Sequence, residues 1–315
     1  MPQTLAEKII AKAARVDSVT PGEIVTCHVD LAMMHDSAGP RMAGEKLDEL
    51  GVPVWDMEKL VVITDHYINK EADNFDDIQK HAQKWVADHD VIHFIKEEGI
   101  CHVVLPEAGH VKPGMFIVGG DSHSVTGGAF GAFMVGVGAT EMTGVLATGE
   151  IWARVPETVK IDVTGTLSAG VAAKDVILKL CGDHGIMGFN YQALEYGGEA
   201  VSAMSVQERM TLANMAAELG AKAGYCEPDQ KTADALTEWG ATDVDINTWR
   251  SDPDATFVKT VTIDGASLTP QVAAPSSPEN AGPIGDHQGT KLNQAYLGAC
   301  TGAKLDDLRM AAEVL

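Results

Sequence analysis

Three short apolar runs in this 315-residue sequence each end in reactive side chains. Residues 60–64 (LVVIT) lead into Asp65-His66, and residues 115–120 (MFIVGG) lead into Asp121-Ser122-His123. Residues 295–299 (AYLGA) lead into Cys300-Thr301-Gly302. An aspartate partnered with a histidine orients the imidazole and raises its basicity, which suits proton transfer near neutral pH. Asp121, Ser122 and His123 are adjacent, point in different directions and cannot form a serine-protease triad among themselves. Each needs a partner from elsewhere in the chain. Cys300, flanked by Gly298, Thr301 and Gly302, reads as a metal ligand or a nucleophile. Taken singly, each group fits a structural hydrogen-bonding role as well as a chemical one. Their common placement is the stronger signal, because ligands of open α/β sheets bind beyond the carboxyl ends of the strands.

The elements that must position these groups alternate along the chain. Thr4-Leu-Ala-Glu7 has the form of a capping box and predicts a helix with Leu5, Ile9 and Ala13 on one face. Strand-like segments at 23–29, 60–64, 102–105, 115–118, 158–163, 257–263 and 294–297 interleave with helical patterns. The helical ones are 76–88, 141–152, 173–182, 205–222, 230–239 and the stretch from 303 onward. Alternation of this kind predicts an α/β fold with largely parallel sheets. The turn-rich stretches 165–170 (GTLSAG) and 275–289 (PSSPENAGPIGDHQG) mark boundaries. They divide the chain into a first α/β domain (1–165), a second (166–285) and the start of a third (286–315). The last residues lie in a helical pattern without a cap, which reads as a truncated chain or an unusual natural end.

Composition narrows the function classes. Lys plus Arg is 23 against 45 Asp plus Glu, a formal net charge of −22. Phosphate-backbone binding is driven by Lys and Arg, so a nucleic-acid partner is not expected. The acidic stretches 73–77 and 97–98 read as solvated faces. The longest apolar stretch, 129–139, is interrupted by glycine and far shorter than the ~18 residues of a membrane helix. The N-terminus shows no secretory signal pattern. Five cysteines without a C-x-x-C pair argue against a disulfide framework and for a reducing cytoplasm. Cys27, Cys101, Cys181 and Cys226 are expected as buried free thiols. His28, His81, His89, His93, His110 and His287 are expected in surface or structural roles. The glycines that follow His123 do not make a dinucleotide fingerprint, since Glu141 stands where the third glycine belongs. They read instead as close backbone approach to a ligand or as tight packing.

At these residues the sequence resembles the aconitase superfamily, specifically the large, catalytic subunits of 3-isopropylmalate dehydratase and homoaconitase. The resemblance runs through ITDHY around Asp65-His66, GICHVVLPE (99–107) and PGMFIVGGDSHSVTGGAFGAFMVGVGATEM (113–142). It continues in ATGEIWARVPET (147–158), MTLANMAAELGAKAG (210–224), SSPEN (276–280) and GACTGAK (298–304), and so spans essentially the whole chain.

The resemblance implies a hydro-lyase that isomerises a hydroxy di- or tricarboxylate by dehydration and rehydration, in the first place a 3-isopropylmalate dehydratase of leucine biosynthesis. Homocitrate, a methylmalate or citrate are the alternative substrates, and a cluster-free, non-catalytic binding protein is the alternative outside enzymes. It implies a [4Fe-4S] cluster held by three cysteines, with Cys300 as the first. Asp65-His66 would handle the leaving hydroxyl, Asp121 would pair with His102, His123 would pair with Glu195, and Ser122 would lie near the substrate. A small subunit carrying the swivelling domain would be the partner and supply the catalytic serine. Departures from the family pattern are the missing C-x-x-C and the missing arginines beyond it, Pro40 at a substrate-contacting glutamine position, and Cys-Thr-Gly in place of Cys-Thr-Asn. The chain by itself is therefore expected to hold no intact cluster.

Overall fold

The computed structural model describes residues 1–68, 71 and 75–315, so the start of the acidic run at 73–77 lies outside the described residues. In chain order the strands are β1 (Ile24–His28), β2 (Leu31–His35), β3 (Leu60–Thr64), β4 (His93–Lys96), β5 (Phe116–Gly119), β6 (Phe133–Gly136) and β7 (Glu150–Arg154). They continue as β8 (Thr158–Thr164), β9 (Ala193–Gly197), β10 (Ala223–Cys226) and β11 (Lys259–Asp264). The helices are α1 (Leu5–Ala14), α2 (Glu45–Leu50), α3 (Phe75–Asp88), α4 (Cys101–Glu107) and α5 (Ala139–Thr148). After them come α6 (Ala173–His184), α7 (Glu199–Ala203), α8 (Val206–Asn214), α9 (Gln230–Glu238) and α10 (Leu305–Val314).

Two parallel sheets organise the molecule. The first has the order β4-β3-β2-β5-β6, the second β10-β9-β8-β11. Strands of the first sheet alternate between two buried faces. Ala32, Met34, Val62 and Val118 pack with α1, Leu47 and Trp85, while Leu31, Met33, Val61, Ile63 and Ile117 pack with Cys101, Phe130 and Met210. A strand covered on both faces reads as an unbroken apolar run, which is why LVVIT carries no polar alternation. The expected break after residue 165 falls at the carboxyl end of β8, a strand hydrogen-bonded inside the second sheet. None of the helices among the described residues is long and apolar enough to cross a membrane.

Topology alone marks a site. From β2 the chain steps outward through β3 and β4, then returns to β2's other side for β5 and β6. The strand order therefore reverses between β2 and β5, and the crevice beyond their carboxyl ends is where such sheets bind ligands.

Several local expectations are corrected. Residues 102–105 form part of helix α4, not a strand, and the edge strand is the preceding His93–Lys96. A four-residue apolar run cannot distinguish a buried strand from a buried helical turn. The helix expected at 141–152 ends at Thr148, where Gly149 takes φ +70° and lets the chain turn into β7. The pattern at 205–222 divides into α8 and a 3-10 turn that stops at Gly220, φ +75°. Residues 294–297 form no strand, and Cys300 is delivered by a loop in which Ala299 adopts φ +65°.

Candidate active site

Each member of the site is placed by the end of an element. His35 closes β2 and Asp36 follows it; Asp65 and His66 follow β3; Asp121 follows β5 and caps the 3-10 segment Ser122–Phe130. As that cap, Asp121 accepts the His123 backbone N–H at 2.8 Å. The dense glycines beyond it serve packing. A Cβ on Gly128 would stand 1.9 Å from the Gly224 carbonyl of β10, so only glycine lets the two backbones meet.

Asp121 is the hub. Its Oδ1 accepts from His102 Nε2 at 2.7 Å, and its Oδ2 lies 3.6 Å from His66 Nε2. Burial pushes the Asp121 carboxyl up, but hydrogen bonding from His102 and His66 outweighs it and holds the group well below the usual carboxylate range. His66 Nδ1 sits 2.6 Å from Asp65 Oδ1. Asp121 and Asp65, set against its two ring nitrogens, push the His66 pKa up to about 10, so the ring is cationic at neutral pH. Asp65 is anchored by the Cys101 backbone N–H at 2.7 Å. The expected Asp65–His66 and His102–Asp121 pairs are both present.

The expected His123–Glu195 pair is not. His123 Nε2 lies 3.1 Å from Glu218 Oε1, and this contact raises the His123 pKa and lowers that of Glu218. Glu195 instead points from β9 into the second sheet's own cavity beside Lys160 and Arg250, where its Oε2 accepts from Ser251 Oγ at 2.5 Å. A signal for Glu218 was available. It stands four residues after Asn214 on the same helical stretch, and residues four apart share a face. Asn214 reaches the same cleft. It donates to Thr126 Oγ1 at 2.7 Å, Thr126 donates to the His123 carbonyl at 2.7 Å, and the Cys300 thiol lies 3.7 Å from Asn214 Oδ1. Ser122 is exposed at the cleft, its Oγ 3.4 Å from His123 Nδ1.

The sequence left His35 and its neighbour Asp36 without an assigned role, because Pro40 departs from the family pattern in the same segment. The buried Asp36 carboxylate accepts from the backbone N–H groups of His66 (3.1 Å) and Tyr67 (3.0 Å) and from Gln79 Nε2 (2.9 Å). His35 stacks on His66 with ring centroids 4.0 Å apart. The ligand atoms of His35, Asp36, Asp65 and His66 all fall within 4.8 Å of one another. A metal is not the simplest use of them. His35 Nδ1 accepts from Ser37 N–H at 3.3 Å and its Nε2 donates to the Gly120 carbonyl at 2.8 Å, so both ring nitrogens are spent. Burial, reinforced by the His66 charge, lowers the His35 pKa and keeps the ring neutral.

The cysteines do not fit a three-thiolate cluster. Cys27, Cys101, Cys181 and Cys226 are buried free thiols, as expected, and burial raises the pKa of each. Cys300 alone is partly exposed, and it lies close enough to Asp121 for that charge to help raise its pKa. Its loop is pinned by Lys304 Nζ, which donates to Thr211 Oγ1 on α8 at 2.9 Å.

The Glu218 contact yields a direct expectation. Glu218→Gln removes the charge that favours the imidazolium, so the His123 pKa falls toward that of an ordinary histidine. An imidazole NMR titration reads this, and an unchanged His123 midpoint would contradict the pairing.

A parallel α/β sheet presenting three His–carboxylate pairs around its switch point defines a protein built for acid–base chemistry on a small polar substrate. The chain belongs to the Aconitase family (aconitate hydratase), whose sequence profile matches residues 7–315. It is 45% identical to 3-isopropylmalate dehydratase large subunit 1 of Methanopyrus kandleri, over 100% of this chain and 75% of that one. It is 42% identical to the probable methanogen homoaconitase large subunit of Methanothermobacter thermautotrophicus, over 99% and 73%. It is 37% identical to the 3-isopropylmalate dehydratase large subunit of Desulfitobacterium hafniense, over 100% and 75%. The chain thus spans about three quarters of the length of these relatives.

Proposed function

We propose that the chain is the large, catalytic subunit of a hydro-lyase of the 3-isopropylmalate dehydratase type, acting in leucine biosynthesis together with a small subunit. The observation that carries this reading is the Asp121 hub, which joins His66 and His102 at the switch point of the first sheet. His66 acts as the general acid. Asp65 holds its Nδ1, and Nε2 lies 3.6 Å from Asp121 Oδ2 on a side chain that is about a third exposed, so the ring carries its proton at the cleft. Departing hydroxide becomes water, whose pKa of ~15.7 lies far above that of the His66 imidazolium, so proton transfer is downhill even from a raised pKa. His102–Asp121 and His123–Glu218 fix the remaining donors and acceptors, and Ser122 lies at the rim for substrate contact. Cys300 is the one partly exposed thiol placed to contribute to a [4Fe-4S] cluster, and a cluster at this cleft requires further accessible thiolates, whereas the other four cysteines are buried.

Two measurements test the reading. Anaerobic reconstitution of the 315-residue chain is expected to give well under one cluster per chain, because iron–sulfur clusters take several thiolate ligands. Iron and sulfide in stoichiometric ratio would overturn that expectation. A large subunit carrying the full set of cluster thiolates, assembled with its small subunit, is expected to dehydrate 3-isopropylmalate in preference to homocitrate and methylmalate. Turnover of homocitrate alone would move the assignment to homoaconitase, and turnover of none would remove it.

A further inference from the structure

A cavity of about 230 Å³ lies behind the acid–base site, walled by β6, β7 and the segment around Tyr191. Its floor is apolar, lined by Phe116, Val135 and Ile151, with the exposed Trp152 at the rim. Two cations overlook it. The Arg154 guanidinium sits 4.3 Å from the Tyr191 ring centroid and the Lys222 ammonium 5.8 Å from the same centroid. Lys222 makes no hydrogen bond or ion pair through its ammonium among the described residues, and burial lowers its pKa. Glu141 is the acid among the lining residues, so the two cations outnumber it. Tyr191 is held between them at a cost. It adopts φ +61°, a conformation rare for a bulky residue, its N–H bonds the Gly220 carbonyl at 2.9 Å, and its hydroxyl bonds the Arg154 carbonyl at 3.3 Å. Strain of this kind persists where the surroundings enforce it and clusters at ligand clamps.

We propose that this cavity is a binding site for a small branched carboxylate, its apolar body against Val135 and Ile151 and its carboxylate between Lys222 and Arg154. An apolar pocket with a few convergent polar groups is the usual form of a small-molecule site. The half-buried Lys222 ammonium feels the Glu141 charge but is hydrogen-bonded to no acceptor among the described residues, which is unfavourable until one meets it. The site is separate from the acid–base cleft but shares its backing: a Cβ on Gly136 would stand 2.5 Å from the Asp121 carbonyl.

Isothermal titration calorimetry of the full chain with 4-methylpentanoate tests the proposal without reference to dehydratase activity. Saturable binding is expected, with 4-methylpentan-1-ol weaker by about tenfold or more for want of the ion pair and inorganic phosphate weaker by a similar factor for want of the apolar body. Lys222→Met and Arg154→Gln are each expected to weaken the carboxylate by a similar factor, and Lys222→Arg to retain it. Circular dichroism confirms that each variant is folded, and Arg154→Gln carries the test if Lys222→Met is not. Equal binding of the alcohol and the carboxylate would overturn the proposal. So would unchanged binding in both cation-removing variants, or the absence of saturable binding at millimolar concentrations.

Discussion

In the assembled enzyme, His66→Ala is expected to lower kcat by about 10²–10⁴-fold, the usual contribution of a positioned general acid. KM should stay within a few-fold. The proton is needed as the carbon–oxygen bond breaks, so the lost interaction belongs to the transition state and appears in kcat. The fold should tolerate the change. The His66 side chain is about a third exposed, at 35%, and its backbone N–H is held by Asp36 whatever the side chain. Thermal melts of the variant should fall below wild type, because Asp65 and Asp121 lose their cationic partner, while added imidazole should restore part of the turnover. If His66 only capped a strand, the variant would lose stability and keep its kcat. Steady-state kinetics and a melting curve on the same preparation separate these outcomes.

Glu195→Gln is expected to stabilise the protein above neutral pH, by on the order of 3 kcal/mol. Glu195 is 5% exposed, and burial pushes its carboxyl up to about 7 although the Ser251 hydroxyl bond opposes this. The folded state therefore binds this proton more tightly than the unfolded chain, where the group titrates near 4.5. Stability contributed by the protonated group is fully present below about 4.5 and is lost as pH rises toward 7. Glutamine keeps an acceptor for Ser251 and has no charge to bury. The difference between variant and wild type should be small at pH 4.5, grow through pH 6 and level off above 7. Urea unfolding across that range measures it. Parallel stability curves would show that Glu195 is not a buried acid, and a destabilised variant at every pH would show that its charge is needed. The effect runs opposite to that of Asp121, whose depressed pKa favours the fold at neutral pH and withdraws that support in acid.

What could be read from the chain was whatever depends on neighbours in sequence. Asp65 and His66 are adjacent, so their pairing needed only a strand end to present them. LVVIT and MFIVGG announce such ends because strands buried on both faces must be apolar throughout. His102 and Asp121 were matched through family resemblance, and the fold brings them together because α4 precedes the strand that Asp121 terminates. The α/β class, the buried thiols and the packing role of the glycines were legible for the same local reasons. Which carboxylate faces His123 was not. Glu195 and Glu218 both lie far along the chain, and only the stacking of α8 and its following turn against the Ser122–Phe130 segment brings Glu218 to 3.1 Å. Glu195, on β9, instead faces another cavity, where it is a buried acid rather than a partner. His35 and Asp36 could be given no role because β2 gives little warning in its composition, yet the strand order puts its end at the centre of the crevice. Local sequence determines which side chains an element can present and in what direction it releases them. Only tertiary structure decides which two elements meet, because that choice rests on the summed burial of two sheets rather than on any single pair of charges.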